Sequence, residues 1–119
     1  MKMSYLYEND CNIFDVSKVE DGNLLVKVCV KNFSGQYVYC IGECNLKGYI
    51  QSLQEFDKAE SGTYQFYDMD SDSYIDFEKT EYGHMKISGQ LGCTFGNNYL
   101  MFEMEADQTV ITALIERLK

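Results

Sequence analysis

Apolar and polar residues alternate along most of this chain, and that two-residue period constrains the fold more than any other feature of the sequence. Successive side chains of a β-strand point to opposite faces, so the alternation predicts strands with one buried and one exposed face. The strand candidates are 25–33, 36–41, 64–67, 74–79, 84–91 and 99–105. Turn-forming residues separate them, as in 32–35 and 92–98. We therefore expect hairpins and a mainly antiparallel β-sheet.

Two stretches follow a helical period instead. Apolar residues three and four positions apart form one stripe in 45–58 and another in 107–118. Asn45 and Asp107 are suitable N-caps for these helices. Because each helix has one stripe to bury, we expect an α+β domain spanning residues 1–119, with both helices packed on one face of the sheet. The predicted core contains Val26, Val28, Val30, Leu53, Ile87, Phe102, Leu114 and Leu118.

The charge of the chain argues against several classes of ligand. Nineteen acidic and 10 basic residues give a net charge of −9. Binding to phosphates requires a basic surface, so we expect no direct nucleic-acid partner and no association with anionic membranes. Apolar residues make up 45% of the chain, which is enough to support a folded core.

Cysteine usage and the N-terminus favour the cytoplasm. No apolar stretch of signal-peptide length follows Lys2, and no run approaches the length of about 18 residues that a membrane span needs. Five cysteines are an odd number, which is typical of free thiols in a reducing compartment. We therefore expect no disulfide, and we expect Cys29 or Cys40 to pack as a small apolar side chain.

Little in the sequence supports catalysis. His84 is the single histidine, and the chain has neither a nucleophile elbow nor a phosphate-cradling glycine pattern. A dyad of His84 with one of the cysteines stays open, because the fold decides which side chains approach it. Cys40 and Cys44 lack the second pair of ligands that a zinc site needs. The chain is expected to be no enzyme and to carry no cofactor or metal.

The acidic run in 68–76 begins like a calcium-binding loop. An EF-hand loop that starts at Asp68 should have Gly at its sixth position and Glu at its twelfth, but Ser73 and Lys79 stand there. A calcium site of another kind stays open, and with it the alternative that the chain is a small acidic ligand- or calcium-binding module without catalysis.

Acidic residues are concentrated in 55–81, which has nine of them and two lysines, and so carries −7 of the net −9. This segment either keeps the protein soluble or forms a docking surface for a basic partner, whose association it would accelerate. Asp76 and Glu78 are two residues apart and should share a strand face. A nearby tyrosine could serve as an anchor, because Tyr is common among binding hot spots. The candidate partner-binding residues are Asp68, Asp70, Asp72, Tyr74, Asp76 and Glu78.

Four motifs occur in a characteristic order along nearly the whole chain. Gly35-Gln36-Tyr37 follows the turn of the first hairpin, and a helix with Leu46, Leu53 and Phe56 comes next. Further along are the strand motif in 83–89, which reads Gly-His-Met-Lys-Ile-Ser-Gly, and Glu-Ala-Asp-Gln-Thr in 105–109. In this order the motifs resemble those of the WapI-like immunity proteins of bacterial polymorphic toxin systems.

The resemblance implies a single immunity-protein-like domain over residues 1–119. Such proteins bind and neutralise the C-terminal domain of a cognate secreted toxin in the cytoplasm, by stoichiometric occlusion and without catalysis. In the system that gives the family its name, the toxin is a tRNA-cleaving nuclease, and a toxin domain of that kind is expected to be basic. The resemblance assigns no interface residues. The five cysteines and the acidic segment are not shared features of the family, so the identity of the toxin stays open.

Overall fold

The computed structural model describes residues 5–119 and has eight strands and two helices in that range. Residues 1–4 of the predicted domain lie outside the described part. In chain order the elements are β1 (Tyr7–Glu8), β2 (Asn12–Val19), β3 (Asn23–Val30), β4 (Phe33–Tyr39), α1 (Glu43–Lys58), β5 (Gly62–Tyr67), β6 (Tyr74–Lys79), β7 (His84–Cys93), β8 (Asn98–Asp107) and α2 (Thr109–Leu118).

The predicted α+β class and the antiparallel pairing are confirmed. Every paired neighbour is antiparallel, and the strands form two four-stranded sheets, ordered β1-β2-β3-β4 and β5-β6-β7-β8. The inner faces of the sheets meet at Phe14, whose ring centroid lies 5.9 Å from that of Phe77 and 6.5 Å from that of Phe102. One core therefore joins both sheets, and the outer face of the second sheet has polar side chains along its length.

Both helices pack against this core and against each other. Helix α1 contacts β5, helix α2 contacts β2, and Leu53 and Leu114 are completely buried. All eight predicted core residues are buried except Val30, which is half-buried and packs against the cluster. Within residues 5–119, no helix is long and apolar enough to cross a membrane.

The helix starts differ from the predicted ones by two residues. Gly42 occupies the N-cap position of α1, so the prediction for Asn45 is wrong; its side chain donates a hydrogen bond to the Ile41 carbonyl at 2.9 Å. Helix α2 starts at Thr109, whose backbone N–H donates to the Asp107 carboxylate at 3.0 Å. Gln108 occupies the N-cap position of α2, so the prediction for Asp107 is wrong by one residue, although the Asp107 carboxylate binds a free N–H group of the first turn.

The C-terminal end of α1 is held by a buried lysine from the second sheet. Lys79 is only 7% exposed, and its ammonium donates to the carbonyls of Phe56 and Ala59 at 2.5 Å each and to that of Asp57 at 3.3 Å. The ammonium also lies 4.6 Å from the centroid of the Phe56 ring. Since the last carbonyls of a helix lack partners within it, Lys79 both satisfies them and opposes their negative dipole.

Strand β2 escaped prediction because its alternation is interrupted. Phe14, Asp15 and Val16 are buried in succession. Asp15 is therefore buried although it lies on the strand face opposite Phe14 and Val16, which the two-residue period would leave exposed to solvent. Three donors hold the Asp15 carboxylate there: Arg117 Nη1 at 2.9 Å, the backbone N–H of Leu6 at 3.2 Å and the Ser17 hydroxyl at 3.4 Å. The ion pair connects the last turn of α2 to the first sheet.

All five cysteines are free thiols in the structure. Cys11 and Cys44 are exposed, and Cys29 and Cys40 are half-buried. The sequence predicted that Cys29 or Cys40 packs as a small apolar side chain, and each is partly covered by the fold.

Candidate functional site

The acidic turn, which we define as residues 68–73, connects β5 to β6 and is held by Asp68. The backbone N–H of Cys40 donates to its carboxylate at 2.7 Å, the Ser71 hydroxyl at 2.5 Å and the N–H of Asp70 at 3.2 Å. Asp68 is only 5% exposed as a result. The sequence placed Asp68 among the residues free to bind a partner, whereas its carboxylate is already occupied by three donors of the chain itself.

Asp72 holds the other end of the acidic turn. Its carboxylate accepts a hydrogen bond from the Gln90 amide at 2.9 Å, another from the Thr94 backbone N–H at 3.1 Å and a third from the Thr94 hydroxyl. The bonds from Thr94 lower the pKa of Asp72 below its ordinary value, because they favour the ionised form. Asp70 is exposed between these two anchors, so it is the carboxylate of the turn that is open to a partner.

Strand β6 places Asp76 and Glu78 on one face, as their spacing predicted. Ile75, Phe77 and Lys79 are buried, whereas Tyr74, Asp76 and Glu78 are half-buried on the opposite side. The second sheet thus turns its hydrophobic face towards the core and its acidic side chains outwards.

Strand β8 extends this acidic surface on the far side of β7. Glu103 of β8 lies opposite Ser88, which in turn lies opposite Asp76. Glu105 has the same relation to Glu78 through Lys86 of β7. Adjacent strands are about 4.8 Å apart, so carboxylates of β6 and β8 lie roughly 10 Å from one another. We call this surface the acidic face and define it by Asp76, Glu78, Glu103 and Glu105.

Sequence reasoning missed the β8 half of the acidic face. The alternation in 99–105 correctly put Leu100, Phe102 and Met104 on one side and the glutamates on the other, and Glu103 and Glu105 are indeed exposed. They did not join the candidate site because they are about 25 residues from the acidic segment in sequence. The register of β6, β7 and β8 brings them together.

The carboxylates of the acidic face differ in their ion-pair and hydrogen-bond partners. Glu78 pairs with Lys86 at 3.3 Å, and both side chains are more than 40% exposed, so this pair is weak and easily exchanged. Asp76 Oδ1 is buried and has no hydrogen-bond partner within the described range of 5–119. A buried acceptor without a donor is unfavourable, so this oxygen reduces the stability of the fold.

Exposed apolar side chains lie at one end of the acidic face. Tyr67 of β5 is paired with Tyr74, and Tyr74 is paired with Gln90, which faces Met101 of β8. Tyr67 is 54% exposed and Met101 is 62% exposed. The outer face of the second sheet therefore combines carboxylates with aromatic and thioether side chains, a composition suited to a protein partner.

The geometry adds no support for a catalytic or metal centre. His84 is exposed at the start of β7, and no cysteine contributes to either of the grooves that it lines among residues 5–119. In the same part of the chain, no three His, Cys, Asp or Glu side chains are arranged to hold a metal ion. Asp68 and Asp72, which suggested a calcium loop, bind protein donors instead.

Comparison with known proteins identifies the family. No curated protein sequence matches this chain, and no solved structure matches it. The model of the immunity protein WapI-like family matches residues 5–119, which include all of the strands and helices described above. This match confirms the resemblance seen in the hairpin, strand and helix motifs. The chain belongs to the immunity protein WapI-like family.

Proposed function

We propose that this chain is a cytoplasmic, non-catalytic inhibitor that binds the C-terminal domain of a cognate secreted toxin and blocks its active surface. Membership of an immunity protein family over residues 5–119 is the observation that carries this proposal. Inhibition by occlusion requires a surface and not a reaction centre. The outer face of the second sheet is such a surface, because it combines exposed charge with exposed aromatic area.

The acidic face is the docking surface in this proposal, together with Asp70 at its edge. Carboxylates of Asp76 and Glu78 would take the places of substrate phosphates against arginines and lysines of the toxin. Arginines could donate to the exposed carboxylates of Glu103 and Glu105, and charge-assisted bonds of this kind are stronger than neutral ones. Tyr74 and Tyr67 would contribute anchoring contacts.

The chemistry of this surface favours a toxin that acts on RNA, and we propose a tRNA-cleaving nuclease. A nuclease must hold a polyanion, so its substrate surface is basic. A chain with a net charge of −9 and carboxylates arrayed on one sheet face is complementary to that surface.

Co-expression tests the function directly. The probe is the C-terminal domain of the secreted toxin encoded next to the gene of this chain, expressed in a host that lacks the chain. We expect the toxin domain to stop growth, the chain to restore it, and tRNA cleavage in vitro to cease at one chain per toxin domain. Growth arrest that the chain leaves unchanged, at matched expression, would contradict the proposed function.

A charge-neutral variant tests the docking surface. Changing Asp76 and Glu78 to their amides, together with Glu103→Gln and Glu105→Gln, keeps side-chain size and removes the acidic face. We expect the association rate at low salt to fall roughly tenfold or more, with a weaker salt dependence, because steering is lost.

The control variant neutralises two exposed carboxylates elsewhere, Glu20 after β2 and Glu55 on α1. It is compared with the double variant Glu103→Gln and Glu105→Gln, which changes the net charge equally. If both double variants alter the association rate by the same factor, total charge and not the acidic face governs binding, and the proposed docking surface is wrong.

A further inference from the structure

A cleft of about 460 Å³ opens between helix α1 and the start of the acidic turn. Gly48 and Tyr49 of α1 form one wall, Tyr67 and Met69 form the other, and Ile41 lies between them. Tyr67 is 54% exposed and Met69 is 66% exposed, although both are large and apolar. The cleft thus leaves apolar area uncovered on the same side of the molecule as the end of β5.

The glycine in this wall has no structural explanation within the fold. Gly48 lies in the interior of α1, where glycine is among the poorest helix formers. A Cβ atom at this position would meet no atom within 4 Å, so close packing does not require glycine. The glycine keeps the cleft open, because any larger side chain at position 48 would project into it.

The cleft is kept in shape by polar contacts on its own walls. The Asn45 amide donates to the Met69 sulfur at 3.3 Å, and the backbone N–H of Tyr67 donates to the Tyr49 hydroxyl at 3.4 Å. The backbone N–H of Met69 also donates to the Cys40 carbonyl at 3.0 Å. The first two contacts connect Met69 and Tyr67 to α1 and so fix the position of one wall relative to the other.

A negative charge lies beside the cleft on the side of the acidic turn. Asp70 follows Met69, which lines the cleft, and is exposed. Tyr67 is paired with Tyr74, two residues before Asp76, so the cleft continues into the acidic face. An occupant must therefore present an apolar group with positive charge beside it.

We propose that the cleft receives one aromatic or long aliphatic side chain of the toxin domain, carried on a segment with flanking arginines or lysines. This inference rests on the proposed function and adds an anchor point to the docking surface. The thioether of Met69 adapts to the shape of such a side chain, and Tyr49 and Tyr67 line the space that it would fill. The basic neighbours of the inserted side chain would meet Asp70.

Gly48→Leu tests this proposal because it fills the cleft and leaves the helix intact. Leucine is a good helix former and meets no clash at its Cβ, so we expect thermal stability that equals or exceeds that of the unaltered chain. Binding of the neighbouring-gene toxin domain, measured by calorimetry, should weaken by roughly tenfold or more, the scale of a lost hot spot. Gln51→Leu is the matched control, since Gln51 is exposed on the same helix and does not line the cleft.

The outcomes separate the inference from the function on which it rests. If the unaltered chain does not bind the toxin domain, the proposed function and the inference both fail. If it binds and the Gly48→Leu and Gln51→Leu variants bind equally well, the inference alone fails. A second possible occupant is another copy of this chain, which is tested by measuring the mass of the chain without toxin in analytical ultracentrifugation. If the chain self-associates and Gly48→Leu abolishes the self-association, the cleft binds another copy of this chain and the proposal is wrong.

Discussion

Asp68 provides the sharpest test of how the acidic turn is built, because the sequence and the structure give it different roles. Its carboxylate accepts hydrogen bonds from the N–H groups of Cys40 and Asp70 and from the Ser71 hydroxyl. The backbone N–H of Asp68 donates to the Ser73 carbonyl at 3.0 Å, which closes the turn. Asp68→Ala removes the three side-chain bonds and leaves the bond from the Met69 N–H to the Cys40 carbonyl as the turn's backbone connection to residue 40.

The expected loss of stability follows from these contacts. A hydrogen bond to a charged group contributes about 1.5–3 kcal/mol, and the bonds of one carboxylate are not additive. The Cys40 N–H, at 2.7 Å, is the closest backbone donor and would lose its partner in a half-buried place. We therefore expect Asp68→Ala to lower the free energy of unfolding by about 2–4 kcal/mol, and Asp68→Asn to lower it by less.

Urea denaturation measures this difference from the midpoint and slope of the transition. Asp70→Ala is the control, because that side chain is exposed, and we expect a change within about 0.5 kcal/mol. If Asp68→Ala changed stability no more than Asp70→Ala does, the hydrogen bonds of the turn would not stabilise the fold, and Asp68 would return to the set of carboxylates free to bind a partner.

Three further predictions concern groups that the core holds in place. Lys79→Met should lower the free energy of unfolding by about 1–3 kcal/mol in urea denaturation, because the carbonyls of Phe56 and Ala59 lose the lysine ammonium as a donor. Lys86→Met, which removes the exposed ion pair with Glu78, should change it by less than about 0.5 kcal/mol. Arg117→Met should lower it by about 3 kcal/mol, since Asp15 stays buried without its cation, and adding Asp15→Asn should restore part of that loss in a double-mutant cycle. Burial raises the pKa of Tyr64 to about 12 from 10.0, so its ionisation opposes folding; stability should be intact below pH 10 and fall as pH rises towards 12, with a shallower fall in Tyr64→Phe.

Local pattern predicted most of the fold. Strand β6 has the bounds that the alternation predicted, and both helices end within a residue of their predicted limits. The prediction missed β1 and β2. In β2, the buried Asp15 interrupts the period and depends on Arg117, about 100 residues away. The division into two sheets was not predicted either, since hairpin signals show which strands are neighbours and not where one sheet ends.

The candidate site was predicted less well, for a related reason. The sequence placed Asp76 and Glu78 together because strand period is a local property. The burial of Asp68 depends on Cys40, and the position of Glu103 on the acidic face depends on the register of β8 against β7. Both are contacts between segments that are distant in the chain. Acidic residues close in sequence thus have different surroundings, and acidic residues far apart share one face.

This difference divides the acidic residues into two groups with separable effects on binding. Asp68 and Asp72 hold the acidic turn, so neutralising them should reduce stability first and binding only through the loss of that structure. Glu103 and Glu105 are exposed and form no ion pair in the described range of 5–119, so neutralising them should slow association and leave the unfolding transition unchanged. A variant that changes every aspartate of the turn would combine both effects. Measuring stability and association rate on each group separately is therefore what shows whether charge on this surface selects the partner or only supports the fold.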